Sequence, residues 1–138
     1  MAETGKSSGK GWNIAFWILQ GLLTVQFLMI GGSKLATPIE TQAAKYAWVA
    51  TVPEGLVRFI GVMEVLGALG LLLPSITRIK PKLTGAAAIG LATIMLLAIP
   101  FHISRGEGGV IPINVVFGSL MAFVAWGRLK KSPITPRA

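Results

Sequence analysis

Four long apolar runs alternate with short polar stretches along this chain. They extend over residues 12–32, 53–73, 82–101 and 110–127. At about 1.5 Å per residue, a run of roughly 20 residues spans the hydrocarbon core of a bilayer, roughly 30 Å. The pattern therefore predicts an all-α fold, a four-transmembrane-helix bundle over 12–129 with tails at 1–11 and 130–138. Between the first two runs, Thr37-Pro-Ile-Glu40 has the form of a capping box with proline in the first turn. It predicts a short interfacial helix from Pro38 to about Val49, carrying Tyr46 and Trp48 at the membrane surface. Thr51-Val-Pro-Glu54 repeats the capping pattern at the start of the second span. Gly31-Gly32 is expected to loosen the end of the first span, Pro74 to end the second, and Pro100 to kink or end the third.

The polar residues inside these runs are few, which makes each informative. Glu64 lies in the middle of the second span, with Gly61 at i−3 and Gly67 and Ala68 at i+3 and i+4. Small residues at that spacing let a neighbouring helix approach closely, so the carboxyl is expected to face protein and not lipid. An ionisable group at that depth is costly, and a lone one is expected to stay neutral. The polar groups of the first span, Gln20, Thr24 and Gln26, are the partners expected to tie it there. Lys34, Arg58, His102, Arg105 and Asn114 are expected to gather at one mouth of the bundle. Arg58 is excluded as a partner of Glu64 by its position about 9 Å along the helix axis and roughly 120° around it.

Charge sets the orientation. The chain of 138 residues is 53% hydrophobic and 13% charged, with a net charge of +8. Lys6, Lys10, Arg78, Lys80, Lys82, Arg128, Lys130, Lys131 and Arg137 fall on the side of the two termini, and Lys34, Lys45, Arg58 and Arg105 on the other. By the positive-inside rule both termini are expected in the cytoplasm; the expected membrane is a bacterial inner one. The basic residues flank apolar segments and form no single patch, so the expected surroundings are membrane lipids and not nucleic acid. Cysteine and aspartate are absent and histidine occurs once. Those absences exclude a thiol relay, an iron–sulfur cluster and a pair of histidine haem ligands made by this chain alone. Ser33, Ser75, Ser104 and Ser119 have no base beside them in sequence, which argues against nucleophilic catalysis by the isolated chain.

Gly31-Gly-Ser-Lys-Leu35, followed by Gly61-x-x-Glu-x-x-Gly-x-x-Gly-Leu-x-x-Pro74, resembles the DoxX-like small integral membrane proteins. The Ala-rich third span, Ala98 with a nearby histidine, and the Gly127-Arg128 ending of the fourth look like the same family. The resemblance covers roughly residues 25–128. The family is similar to the membrane subunit of thiosulfate:quinone oxidoreductase. The resemblance implies a four-helix subunit of a quinone-linked redox complex, with quinone as a non-covalent cofactor and redox subunits as partners, in a larger assembly or a homo-oligomer.

The candidate binding residues are accordingly Glu64, Gln26, Lys34, His102 and Asn114, with Glu64 the one candidate for proton transfer to a quinone head group. Each also has a structural reading. Glu64 and Asn114 serve equally well as interhelical glue, Lys34 as a snorkelling lysine, and His102 as a hydrogen-bonding residue at a helix end. Two other functions remain open on the residues alone: a non-catalytic scaffold that binds lipids and partner proteins, and a carrier of small apolar molecules. A quinone site requires a cavity that reaches Glu64; a scaffold requires a filled interior.

Overall fold

The computed structural model describes residues 2–137, with side chains from residue 9 onward. Its helices are α1 (Ala2–Ala36), α2 (Ile39–Lys45), α3 (Glu54–Thr77), α4 (Lys82–Ser104) and α5 (Ile111–Trp126). A 3-10 turn, Ala47–Thr51, follows α2, and a π-helical turn, Gly127–Lys131, extends α5. Four of the helices are long and apolar enough to cross a membrane, and among the described residues there is no strand. The all-α bundle with a short helix between the first two spans is the architecture expected.

The long helices pack in chain order. α1 lies on α3, α3 on α4 and α4 on α5, while α1 meets α5 more lightly. Phe27, Leu71, Leu91 and Met121 form the centre of the core, one from each helix. The outward faces carry large apolar side chains such as Leu22, Phe59, Leu97 and Ile113. In lipid these faces need no protein cover, and the helices are held together by close packing and interhelical hydrogen bonds.

The spans are longer than expected, because residues that usually break helices are used here for packing. α1 runs back through most of the expected 1–11 tail and forward past Gly31-Gly32. Gly31 does not loosen the helix. A Cβ there would come within 2.8 Å of the Gly61 carbonyl oxygen, so its bare backbone is what allows α1 and α3 to touch. Pro74 lies inside α3, which continues one turn to Thr77. That turn is anchored by the Thr77 hydroxyl, which donates to Leu73 O at 2.8 Å, and by buried Ser75. Arg78, in the left-handed region at φ 57, is what ends it. Pro100 likewise does not terminate α4, which reaches Ser104.

Neither capping box forms. Pro38 and Pro53 occupy the N-cap positions with no side-chain cap. The Thr51 hydroxyl donates to Trp48 O at 2.8 Å, and Glu54 accepts from Arg58. The expected helix over Pro38–Val49 breaks at Tyr46, whose backbone is extended, before the 3-10 turn. The buried residue of α2 is Gln42. The Gln42 amide donates to Thr37 O at 2.8 Å, while Arg58 Nη1 donates to Lys34 O at 2.6 Å and Thr37 O at 2.9 Å. These two side chains cap the C-terminal carbonyls that α1 leaves without partners.

Candidate functional site

The contact between Gly31 and Gly61 decides where the charge goes. With the two backbones this close, Lys34, one turn further along α1, lies directly beside α3. Its Nζ donates to Glu64 Oε2 at 2.9 Å and to Oε1 at 3.3 Å. Glu64 is buried and Lys34 nearly so. The carboxyl is thus paired, and the expectation of a lone acid is corrected. Its partners are also not the first-span polar residues. Gln26 faces outward and takes no part in the site. Gln20 and Thr24 are buried, but they hydrogen-bond to α3 lower down, at Leu71 O and Ala68 O. Periodicity places Gln26 at i+6 from Gln20, on another face of α1.

Beside the pair lies a cavity of about 410 Å³, within the range of small-molecule sites. Lys34, Glu64, His102 and Asn114 all line it, so four of the five candidate binding residues meet at one place. The remaining wall is apolar and aromatic, including Trp48, Phe101 and Met95, and its rim carries the exposed Leu56, Phe59 and Leu97. Asn114, one turn into α5, is 9% exposed, and its Nδ2 is buried without a hydrogen-bond partner. An orphaned donor in an apolar enclosure costs about 1–3 kcal/mol unless something accepts from it.

One wall of the cavity is linked to the end of the bundle. His102 Nδ1 lies 3.3 Å from Glu107 Oε1, and Arg105 Nε donates to the same oxygen at 2.6 Å. The hydrogen bond from Arg105 holds the Glu107 carboxyl below the usual carboxylate range. Arg105 Nη1 also donates to the Thr51 hydroxyl at 2.8 Å, tying the 3-10 turn to the end of α4. Trp48 packs edge-on against Phe101 beneath this link. Among the described residues no group of three His, Cys, Asp or Glu is placed to hold a metal.

A second polar cluster occupies the opposite end of the bundle, and sequence reasoning missed it. Arg128, counted there among the charges flanking the last span, is buried at 2% exposure. Its Nε donates to Gln20 Oε1 at 2.5 Å and its Nη1 to Asn13 Oδ1 at 2.8 Å. The guanidinium also lies over the rings of Phe16 and Trp17. Gln20 continues the chain to Ser75 at 3.1 Å, and Ser75 pairs with Thr84 at 2.8 Å. Gly127 makes room for this arrangement, since a Cβ there would overlap the Phe16 ring. One signal was available: Asn13 and Gln20 are seven residues apart and share a face of α1.

A family model described as the DoxX-like family matches residues 18–124. The chain belongs to the DoxX-like family. The matched region contains the whole of the cavity, with Lys34, Glu64, His102 and Asn114, and leaves Asn13 and Arg128 outside it. As a DoxX-like protein with four apolar spans, the chain is an integral membrane protein. No curated protein and no solved structure matches the chain significantly.

Proposed function

We propose that this DoxX-like protein binds the head group of a membrane quinone in the cavity between α1, α3, α4 and α5, as a subunit of a quinone-linked redox complex. The observation that carries the reading is an apolar cavity walled by a lysine ammonium and by Asn114, whose Nδ2 is buried without a hydrogen-bond partner. A ring bearing carbonyl oxygens fits that donor set: Asn114 donates from one wall and Lys34 from another. Glu64 keeps the Lys34 ammonium inside the protein, when it would otherwise snorkel to the headgroups. His102 and Glu107 connect the cavity to the end of the bundle, and a proton can pass between His102 Nδ1 and Glu107 Oε1. A bound quinone would supply two-electron, two-proton chemistry, and a partner subunit the electrons. The cavity counts against a scaffold with a filled interior.

The test uses Trp48, which lines the cavity, while Trp12, Trp17 and Trp126 lie at the far end. With those three changed to phenylalanine, titration with a short-chain benzoquinone is expected to quench Trp48 saturably. Asn114→Leu is expected to weaken that binding about fivefold or more, the scale of one buried hydrogen bond. It should also stabilise the free protein, because it removes an unsatisfied amide. Unsaturable quenching that is identical in both proteins would overturn the reading.

The same proposal places both termini in the cytoplasm of a bacterial plasma membrane, on the excess of Lys and Arg at that end. The C-terminal tail lies there beside the α3–α4 turn, where Arg137 N donates to Arg78 O at 2.8 Å. The chain has no cysteine, so Ser132→Cys gives a unique label site. A membrane-impermeant maleimide is expected to leave it unlabelled in intact cells and to label it after lysis. Labelling in intact cells would reverse the orientation.

A further inference from the structure

A second depression lies on the outer surface between α3 and α4. It encloses about 560 Å³ and is almost wholly apolar. It shares three wall residues, Phe59, Ile60 and Ile94, with the polar cavity, so the two meet at the exposed ring of Phe59. Small residues line it: Gly67 and Gly70 of α3, Ala87 and Gly90 of α4, and a Cβ on Gly70 would come within 2.7 Å of Ala87 Cβ. From Phe59 the groove runs along α3 as far as Pro74. That is 15 residues of helix, or roughly 22 Å at about 1.5 Å each. Half of the hydrocarbon core is only about 15 Å. The groove therefore starts at the cavity mouth and crosses the middle of the membrane towards the other interface.

We propose that cavity and groove form one site for a lipid with a carbonyl-bearing ring head and a single long isoprenoid chain, the chain lying in the α3–α4 groove. The inference rests on the head-group reading of the cavity and adds the tail to it. Three observations on different parts of the molecule converge. At one end Asn114, with its Nδ2 lacking a partner, and Lys34 give the cavity wall polar groups suited to a polar head. The shared wall at Phe59 provides the exit for whatever is attached to that head. The groove beyond is longer than one leaflet is deep, which suits a long unbranched-path tail better than the paired acyl chains of a phospholipid anchored at an interface. The groove adds little hydrophobic affinity, because the tail is already in lipid; its role is steric, giving the chain a path out once the head is seated.

That steric role defines the experiment. Gly90 faces the groove, and a Cβ there meets nothing within 4 Å. Gly90→Phe should therefore fill the groove without moving the backbone, and Gly90→Ala serves as the small control. Binding is read by Trp48 quenching in lipid nanodiscs, with two benzoquinones of identical ring substitution, one with a methyl group and one with a long isoprenoid chain. Gly90→Phe is expected to weaken the long-chain compound about tenfold or more, the scale of one steric misfit, and to leave the methyl compound within about twofold. Gly90→Ala should leave both unchanged. Asn114→Leu should weaken both. Equal binding of the long-chain compound to Gly90→Phe and to the unsubstituted protein would overturn the tail site and leave the head-group reading standing. If Gly90→Phe instead changes only the oligomeric mass, the groove belongs to a second copy of the chain and the proposal fails. Absence of saturable binding by either compound to the unsubstituted protein would overturn both readings together.

Discussion

Glu64→Gln is expected to destabilise the protein by about 3 kcal/mol, although it preserves the shape of the side chain. The substitution leaves the Lys34 ammonium beside a neutral amide in a largely buried position. Breaking one partner of a buried ion pair is costly because the remaining charge is uncompensated. The value is set at the low end of that range because Lys34 retains some exposure, at 16% of its side chain, and can shift towards water. Lys34→Met is expected to be harmful for the same reason, since it strands the carboxylate. The double variant Lys34→Met/Glu64→Gln should recover most of the loss, with a coupling of about 2 kcal/mol in the cycle. Thermal or denaturant unfolding of all four proteins in one detergent measures it. Full stability of Glu64→Gln would show that the carboxyl is not the counter-ion of Lys34. A lone acid used as interhelical glue would behave in that way, which is how the residue looks when only its own helix is considered.

The spans were legible because an apolar run of roughly 20 residues has few other uses. Their ends were not, because glycine and proline carry two meanings. Gly31 reads as a helix-loosening residue but is the closest point of approach to α3. Pro74 reads as a terminator, yet the turn after it holds Ser75 in the hydrogen-bonded chain from Gln20 to Thr84. Prediction of the site divides in the same way. Glu64 and Asn114 stand out as rare polar groups inside apolar runs, and His102 as the one histidine, just past the end of another; the structure brings them to one cavity. The partner of Glu64 did not stand out. Lys34 is 30 positions away and sits at the end of a span, where a lysine ordinarily snorkels to the headgroups. Arg128 was hidden by its basic neighbours, since nothing in a run of flanking charges marks the one that turns inward. Both errors concern tertiary pairing, which depends on how closely two helices approach.

That approach is controlled at Gly61, and Gly61→Leu is expected to have the largest effect of any single change in the site. A Cβ at this position would lie 2.8 Å from Lys34 Cβ, 3.0 Å from Gly31 O and 3.2 Å from Leu35 Cγ. Two of these neighbours are a main-chain oxygen and a first side-chain carbon, so neither can swing aside; the helices themselves must separate. α1 makes most of its contacts with α3, and the Gln20 and Thr24 hydrogen bonds to α3 carbonyls would lengthen together. Overpacking of this kind costs about 1–3 kcal/mol for small additions. A full isobutyl group, with interhelical hydrogen bonds lost as well, is expected to exceed about 3 kcal/mol. Gly61→Ala should fall near 1 kcal/mol, at the lower end of the overpacking range. Gly32→Leu is the control for helix composition, because a Cβ there meets nothing within 4 Å. Unfolding by denaturant in detergent, with protease resistance as a second readout, is expected to rank the three as Gly32→Leu near the unsubstituted protein, then Gly61→Ala, then Gly61→Leu. The same separation draws Lys34 away from Glu64, so Trp48 quenching by the short-chain benzoquinone should be lost in Gly61→Leu and kept in Gly32→Leu. Equal stability of the two leucine variants would show that α1 and α3 are not in glycine-to-glycine contact, and the pairing of Lys34 with Glu64 would then lose its structural basis.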